Sequence, residues 1–142
     1  MQVKKIGSKI ETQGDCMNKM SRQWLKQADY DINTAQFMHN GGRFFYAVFM
    51  CHLSIEKALK GLYRQKLSQT PPKTHNLVYL LSKIGIKPKD DIGRFVAKLN
   101  EANIATRYPE DIDKLQRDYT EAVAKEILEK TTELLEWIKK QF

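Results

Sequence analysis

A chain of 142 residues, 42% of them apolar, is long enough to bury one sizeable core and needs no second domain. Its net charge of +7 favours anionic partners without naming one, and its two cysteines, Cys16 and Cys51, exclude a disulfide framework and suit a reducing cytoplasm. The longest apolar run, Phe44 to Cys51, is far below the roughly 20 residues of a bilayer span, and the N-terminus lacks a signal-peptide core, so a cytoplasmic protein with no membrane partner is expected.

Residues 1–20 carry Gly7, Gly14 and scattered charge without periodicity; they read as a mobile leader or an appended extension, which leaves 21–142 as one domain. Ser21 is placed to cap a first helix through about His39, with Trp24, Ala28, Ile32, Ala35 and Met38 on its inner face and Asp31 beside them. Asn40-Gly41-Gly42 stops that helix, and so short a link makes the next one its antiparallel neighbour. The second helix, Arg43 to Gln65, is the apolar centre of the sequence. Phe44, Phe45, Val48, Phe49, His52, Ile55, Leu59 and Leu62 share one broad arc, while Tyr46, Ser54, Lys57 and Arg64 form the side expected to meet solvent or a partner's edge. Glu56 falls inside the apolar arc, where an unpaired carboxylate is costly.

Pro71 and Pro72 keep Lys66 to Thr74 out of a helix. A short third helix follows, capped by Thr74, striped by Leu77, Leu80, Leu81 and Ile84, and closed by Gly85. Pro88 starts a fourth, with Asp90 and Asp91 at its dipole-positive end and Ile92, Phe95, Val96, Leu99 and Ala102 inside; Pro109 requires it to finish before Tyr108. Arg107 to Asp118 reads as a long connection of the kind that often carries function. The last helix, Tyr119 to Lys140, packs Val123, Ile127, Thr131, Leu134, Leu135 and Ile138, with Glu126/Lys130 and Glu136/Lys140 as outer pairs. The expected fold is all-α, an up-and-down bundle of four long helices plus one short one.

The sequence holds no glycine-rich phosphate loop, Cys-x-x-Cys, His-Glu-x-x-His or nucleophile elbow, and His39, His52 and His75 are too scattered for a zinc site. Three constellations remain. His52, Glu56 and Lys60 stack four apart on the second helix, as a packing ion pair or as part of a site. His75 falls where the first turn of the third helix is expected, among free N–H groups that attract anions, or is simply a polar residue near a cap. Arg107-Tyr108 offers a guanidinium fork for phosphate beside a ring that stacks on a base, or an arginine bonded to the last carbonyls of its helix.

Ala28-x-x-Asp31-Ile32-x-x-Ala35, Ser54-Ile55-Glu56-Lys57-Ala58-Leu59-Lys60, Thr74-His75-Asn76-Leu77 and Arg107-Tyr108-Pro109, in this order and spacing, resemble the HEPN domain over roughly Ser21 to Phe142. The resemblance implies a helical bundle that commonly forms a homodimer and often acts with a small nucleotidyltransferase as a toxin–antitoxin pair. Many such domains are metal-independent ribonucleases that use an arginine followed, after four to six residues, by a histidine. Counted from Arg107, Ile112, Asp113 and Lys114 occupy those positions, so that motif is absent. The expectation is therefore a nucleotide- or partner-binding module rather than an enzyme, with Glu56, Lys60, His75, Arg107 and Tyr108 lining one polar cleft, no assigned catalytic residue, no cofactor and no metal. The alternatives are a ribonuclease in which Arg107 holds phosphate and His75 is the base, and a structural subunit that touches no nucleotide.

Overall fold

A computed structural model describes residues 17–142, so the first sixteen residues of the expected leader lie outside the described part. Six helices follow in order: α1 (Lys19–Asn40), α2 (Phe44–Leu67), α3 (Leu77–Ile84), α4 (Asp90–Arg107), α5 (Ile112–Asp118) and α6 (Glu121–Lys139), with no strand among the described residues. The bundle is thus four long helices and two short ones. The stretch expected to be an irregular connection from Arg107 to Asp118 contains α5, which the Asp111 side chain caps at the Lys114 N–H and which Leu115 anchors in the interior.

The first helix begins three residues earlier than expected. Asn18, not Ser21, is its cap, its carboxamide oxygen accepting from the Ser21 N–H at 2.8 Å. Gly42, at φ 78°, then takes the left-handed conformation that reverses the chain into α2. The two helices pack closely because Gly61 has no side chain: a Cβ there would stand 2.9 Å from the Trp24 Cβ and 3.2 Å from the Ser21 carbonyl oxygen. Along the same seam the Ser54 hydroxyl donates to the Ala28 carbonyl at 2.8 Å, and Lys57 pairs with Asp31 at 2.9 Å. Ser54 is therefore buried and Lys57 half-buried; along this stretch the side of α2 expected to meet solvent or a partner's edge is where α1 lies, while Tyr46 stays exposed.

The other sides of α2 are covered by α3, α4 and α6. Ile55, Leu59 and Leu62 of α2 are buried with Leu77 and Leu80 of α3, Val96 and Leu99 of α4, and Leu135 and Ile138 of α6. Full burial of such a side chain is worth roughly 1.5–3 kcal/mol, so the central helix carries most of the reason for the fold. At the far end, Lys139 bonds Asp29 of α1 at 2.7 Å and Glu136 at 3.5 Å, in place of the expected Glu136/Lys140 pair. No described helix is long and apolar enough to cross a membrane.

Candidate functional site

Helix α2 stacks His52, Glu56 and Lys60 at intervals of four on the side that meets the segment before α3. Glu56 is only 4% exposed, and both of its oxygens are engaged. Oε2 accepts from Lys60 Nζ at 2.9 Å, and Oε1 accepts from His75 Nδ1 at 2.9 Å. His52, wholly buried, reaches the same segment: its Nε2 lies 2.9 Å from the His75 carbonyl oxygen. A carbonyl only accepts, so Nε2 carries the proton. His52 Nδ1 is then a bare acceptor, 3.9 Å from Glu56 Oε1 and without a hydrogen-bond partner among the described residues.

His75 is not in the first turn of α3, as the spacing suggested. Asn76 takes the cap position with its side chain accepting from the Tyr79 N–H at 3.0 Å, while Thr74 accepts from the Asn76 N–H at 3.1 Å; His75 sits in the extended run before the helix. Asn100 of α4 completes the arrangement. It accepts from the Leu77 N–H at 2.8 Å and donates to the Asn76 side chain at 3.2 Å. The histidine is therefore fixed from both sides, through its ring by α2 and through its neighbours by α4. Its side chain is half exposed, and with Nδ1 donating to a carboxylate its Nε2 accepts in the neutral ring and donates when the ring holds a second proton.

Arg107, the last residue of α4, lies beside Phe49, about one turn before His52 on α2. Its guanidinium carbon is 4.9 Å from the Phe49 ring centre, and Nε donates to the Asn103 carboxamide at 3.1 Å. Nη2 is buried without an acceptor among the described residues. Arg107 makes no hydrogen bond to Glu56 or His75 among the described residues, but it stands near enough to oppose a charge on His52. Tyr108, which caps α4, is 68% exposed. Of the five residues expected to share a cleft, the structure thus joins Glu56, Lys60 and His75 directly, sets Arg107 beside them on Phe49, and leaves Tyr108 outward.

The electrostatics follow from these contacts. Burial pushes the Glu56 carboxyl up, but the hydrogen bonds from Lys60 and His75 outweigh it and hold the group below its ordinary value. Burial lowers the His52 imidazole from 6.5 to about 4, against the pull of Glu56 and the His75 carbonyl towards the charged form. Asn100, Asn103 and Phe49 are supports that the sequence motifs do not single out. Asn103 leaves a readable signal, an amide beside Ala102 and Thr106 on a buried side of α4, of the same kind that exposes Glu56 to notice. Among the described residues no group of three or more His, Cys, Asp or Glu side chains could hold a metal.

The HEPN domain family matches residues 21–141 of this chain. The chain belongs to that family. Among solved structures, this HEPN domain is similar to TT1696 from Thermus thermophilus, with 26% identity, a TM-score of 0.75, and coverage of 88% of this chain and 100% of that one. It is also similar to ST0689, an archaeal HEPN homologue, at 27% identity and a TM-score of 0.69 over 87% of this chain and 98% of that one. No curated protein matches it. In this HEPN domain the positions that follow Arg107 after four to six residues fall in α5, where Ile112, Asp113 and Lys114 offer no imidazole; the imidazole beside the α2 carboxylate is that of His75.

Proposed function

We propose that this HEPN domain binds the phosphates of a nucleotide where α2 meets the start of α3 and the end of α4. Lys60, His75 and Arg107 are the contacts, Glu56 orients the first two, and Tyr108 is the exposed ring next to Arg107. One observation carries this reading: positive charge outnumbers negative. Glu56 is the single carboxylate in this set of contacts, its oxygens are taken by Lys60 and His75, and Arg107 Nη2 is buried with nothing to bond among the described residues. A phosphate supplies the missing acceptors in the geometry a guanidinium fork favours. Membership of the family supports action as a homodimer beside a small nucleotidyltransferase, as in toxin–antitoxin pairs. Calorimetric titration with ATP, GTP and UTP, alone and with the protein encoded next to this one, is the test. Saturable binding that Arg107→Ala weakens by roughly tenfold or more is expected, the size of a lost charge-assisted hydrogen bond. Absence of saturable binding to all three, in both settings, overturns the proposal.

The 2.9 Å bond between Glu56 and His75 favours a second reading. A carboxylate that holds Nδ1–H fixes the tautomer in which Nε2 takes a proton, the arrangement of a general base. With Arg107 on the phosphate, His75 would then draw the proton from a ribose 2′-hydroxyl, whose oxygen bonds phosphorus as the bond to the 5′-oxygen breaks; the 5′-oxygen takes a proton from water, and the products are a 2′,3′-cyclic phosphate and a 5′-hydroxyl end. Structured RNA incubated in EDTA distinguishes the two readings. Cleavage by the native protein and not by His75→Ala or Arg107→Ala establishes the ribonuclease; intact RNA leaves the binding module.

A further inference from the structure

A cavity opens two turns before His52 on α2. It holds about 330 Å³ and is walled by Arg43, Phe45, Tyr46, Ile112, Gln116 and Tyr119, so that α2 forms one side and α5 with its following residue the other. That volume is within the range of small-molecule sites. Its surface leaves one aromatic ring and one aliphatic side chain in water. Tyr46 is 48% exposed and Ile112 is 56% exposed, and the Phe45 and Tyr46 rings lie 4.6 Å apart with their planes 37° from parallel. Arg43 makes no capping hydrogen bond at the start of α2, and the exposed Gln116 amide offers a donor and an acceptor together.

The cavity and the Arg107 site adjoin each other along α2. Phe45, Phe49, His52 and Glu56 recur at steps of four, three and four, along one side of the helix. Phe45 walls the cavity and Phe49 carries the Arg107 guanidinium, and one turn separates them, about 6 Å at 1.5 Å per residue. The chain itself makes the same connection, since the residue that ends α4 is Arg107 and the residue that begins α5 is Ile112, a wall of the cavity. The rise from Phe45 to Phe49 is about that of a ribose, so a nucleoside in the cavity can direct its phosphates towards the ring on which Arg107 lies.

We infer that this cavity is the base subsite of the same nucleotide, an inference that rests on the phosphate reading proposed above. The aromatic base stacks against Tyr46, Gln116 bonds its edge, and the sugar directs the phosphates past Phe49 to Arg107 and His75. The ligand is thereby a nucleotide with an aromatic base, not a free polyphosphate.

Three probes separate the two subsites: ATP, inorganic tripolyphosphate and phosphate-free adenosine. The native protein should bind ATP more tightly than tripolyphosphate. Tyr46→Ala, at an exposed position that the core does not need, should weaken ATP about tenfold, the usual worth of one base on one ring, and leave tripolyphosphate unchanged. Adenosine should shift the backbone amide resonances of Tyr46, Ile112 and Gln116. Equal affinity for ATP and tripolyphosphate, or a Tyr46→Ala loss shared by both, overturns the base subsite while the phosphate site stands. If neither phosphate compound binds, the phosphate reading falls and the adenosine shifts decide alone: shifts at those three residues uphold the subsite, and their absence removes it.

Discussion

Two carboxylates are buried against α2, and they do opposite things. Asp31, 5% exposed, serves one cation, Lys57, on a seam where the neighbouring Ser54 hydroxyl also has a single partner, the Ala28 carbonyl. Glu56, 4% exposed, serves Lys60 and His75 at once, with His52 and Arg107 close behind and an Arg107 nitrogen still unserved among the described residues. Burial is the same at both, so burial cannot separate a structural pair from a site. The ratio of partners does: one to one where the chain only packs, cations in surplus where something anionic can enter.

Removing each carboxylate gives the largest contrast. Glu56→Ala strands Lys60, which is 9% exposed, as an uncompensated buried charge, and should cost about 3–5 kcal/mol in urea unfolding. Asp31→Ala should cost only about 1–2 kcal/mol, because the Lys57 side chain is 22% exposed and its flexible stem lets the ammonium turn to water. Equal losses would erase the distinction between the two sides of α2.

Acid sharpens it next. The His52 imidazole titrates near 4 in the folded protein against 6.5 ordinarily, so between those values the unfolded chain binds more protons. Stability therefore rises with pH across that window, and falls by up to about 3 kcal/mol as pH drops from 6.5 to 4. Glu56 adds to this lower down: its carboxyl is held below the ordinary value, so its contribution is present above 4.5 and is lost as pH falls through the folded value. Thermal melts across this range test the assignment. His52→Gln keeps an N–H for the His75 carbonyl and cannot titrate, so its melting temperature should decline less between pH 6.5 and 4; an unchanged slope assigns the acid limb elsewhere.

The seam should respond to bulk rather than to charge. Gly61→Ala puts a Cβ 2.9 Å from the Trp24 Cβ, in the α1–α2 contact, and should destabilise by about 1–3 kcal/mol while leaving ATP affinity intact. A large loss of affinity in that variant would mean that the seam and the site are mechanically one unit.

This division is half visible in the sequence. Glu56 and Lys60 announce themselves, because a carboxylate inside an apolar arc needs a partner and spacing by four supplies one. Ser54 misleads, because a helical wheel shows which residues share a side but not how many sides a central helix must bury. Helix α5 stays hidden since seven residues with one buried leucine produce no stripe; the Asp111 cap is its only local sign. The start of α3 is displaced from its expected place because Thr74 and Asn76 are both capping residue types, and sequence offers no way to rank them without Asn100, which reaches Leu77 and Asn76 from 23 and 24 residues away. Nothing local in the chain places Arg107 on Phe49, a contact between residues far apart in sequence.

Two helix caps supply the smallest and most selective test. Asn76 caps α3 and Thr120 caps α6, accepting from the Tyr79 and Val123 N–H groups at 3.0 and 3.3 Å. Loss of either side chain should cost about 1 kcal/mol, so by stability alone the two variants are indistinguishable. Their surroundings differ. Thr120 ends its influence at α6, whereas Asn76 also receives the Asn100 amide and is the residue next to His75. In Asn76→Ala the extended run loses one of its two bonds to α4, keeping only that of the Leu77 N–H, so ATP affinity should fall several-fold while Thr120→Ala retains it. Equal affinities in the two variants would show that α2 alone, through Glu56 and His52, holds His75 in place, and would shift the support of the site from the α4 amides to the central helix.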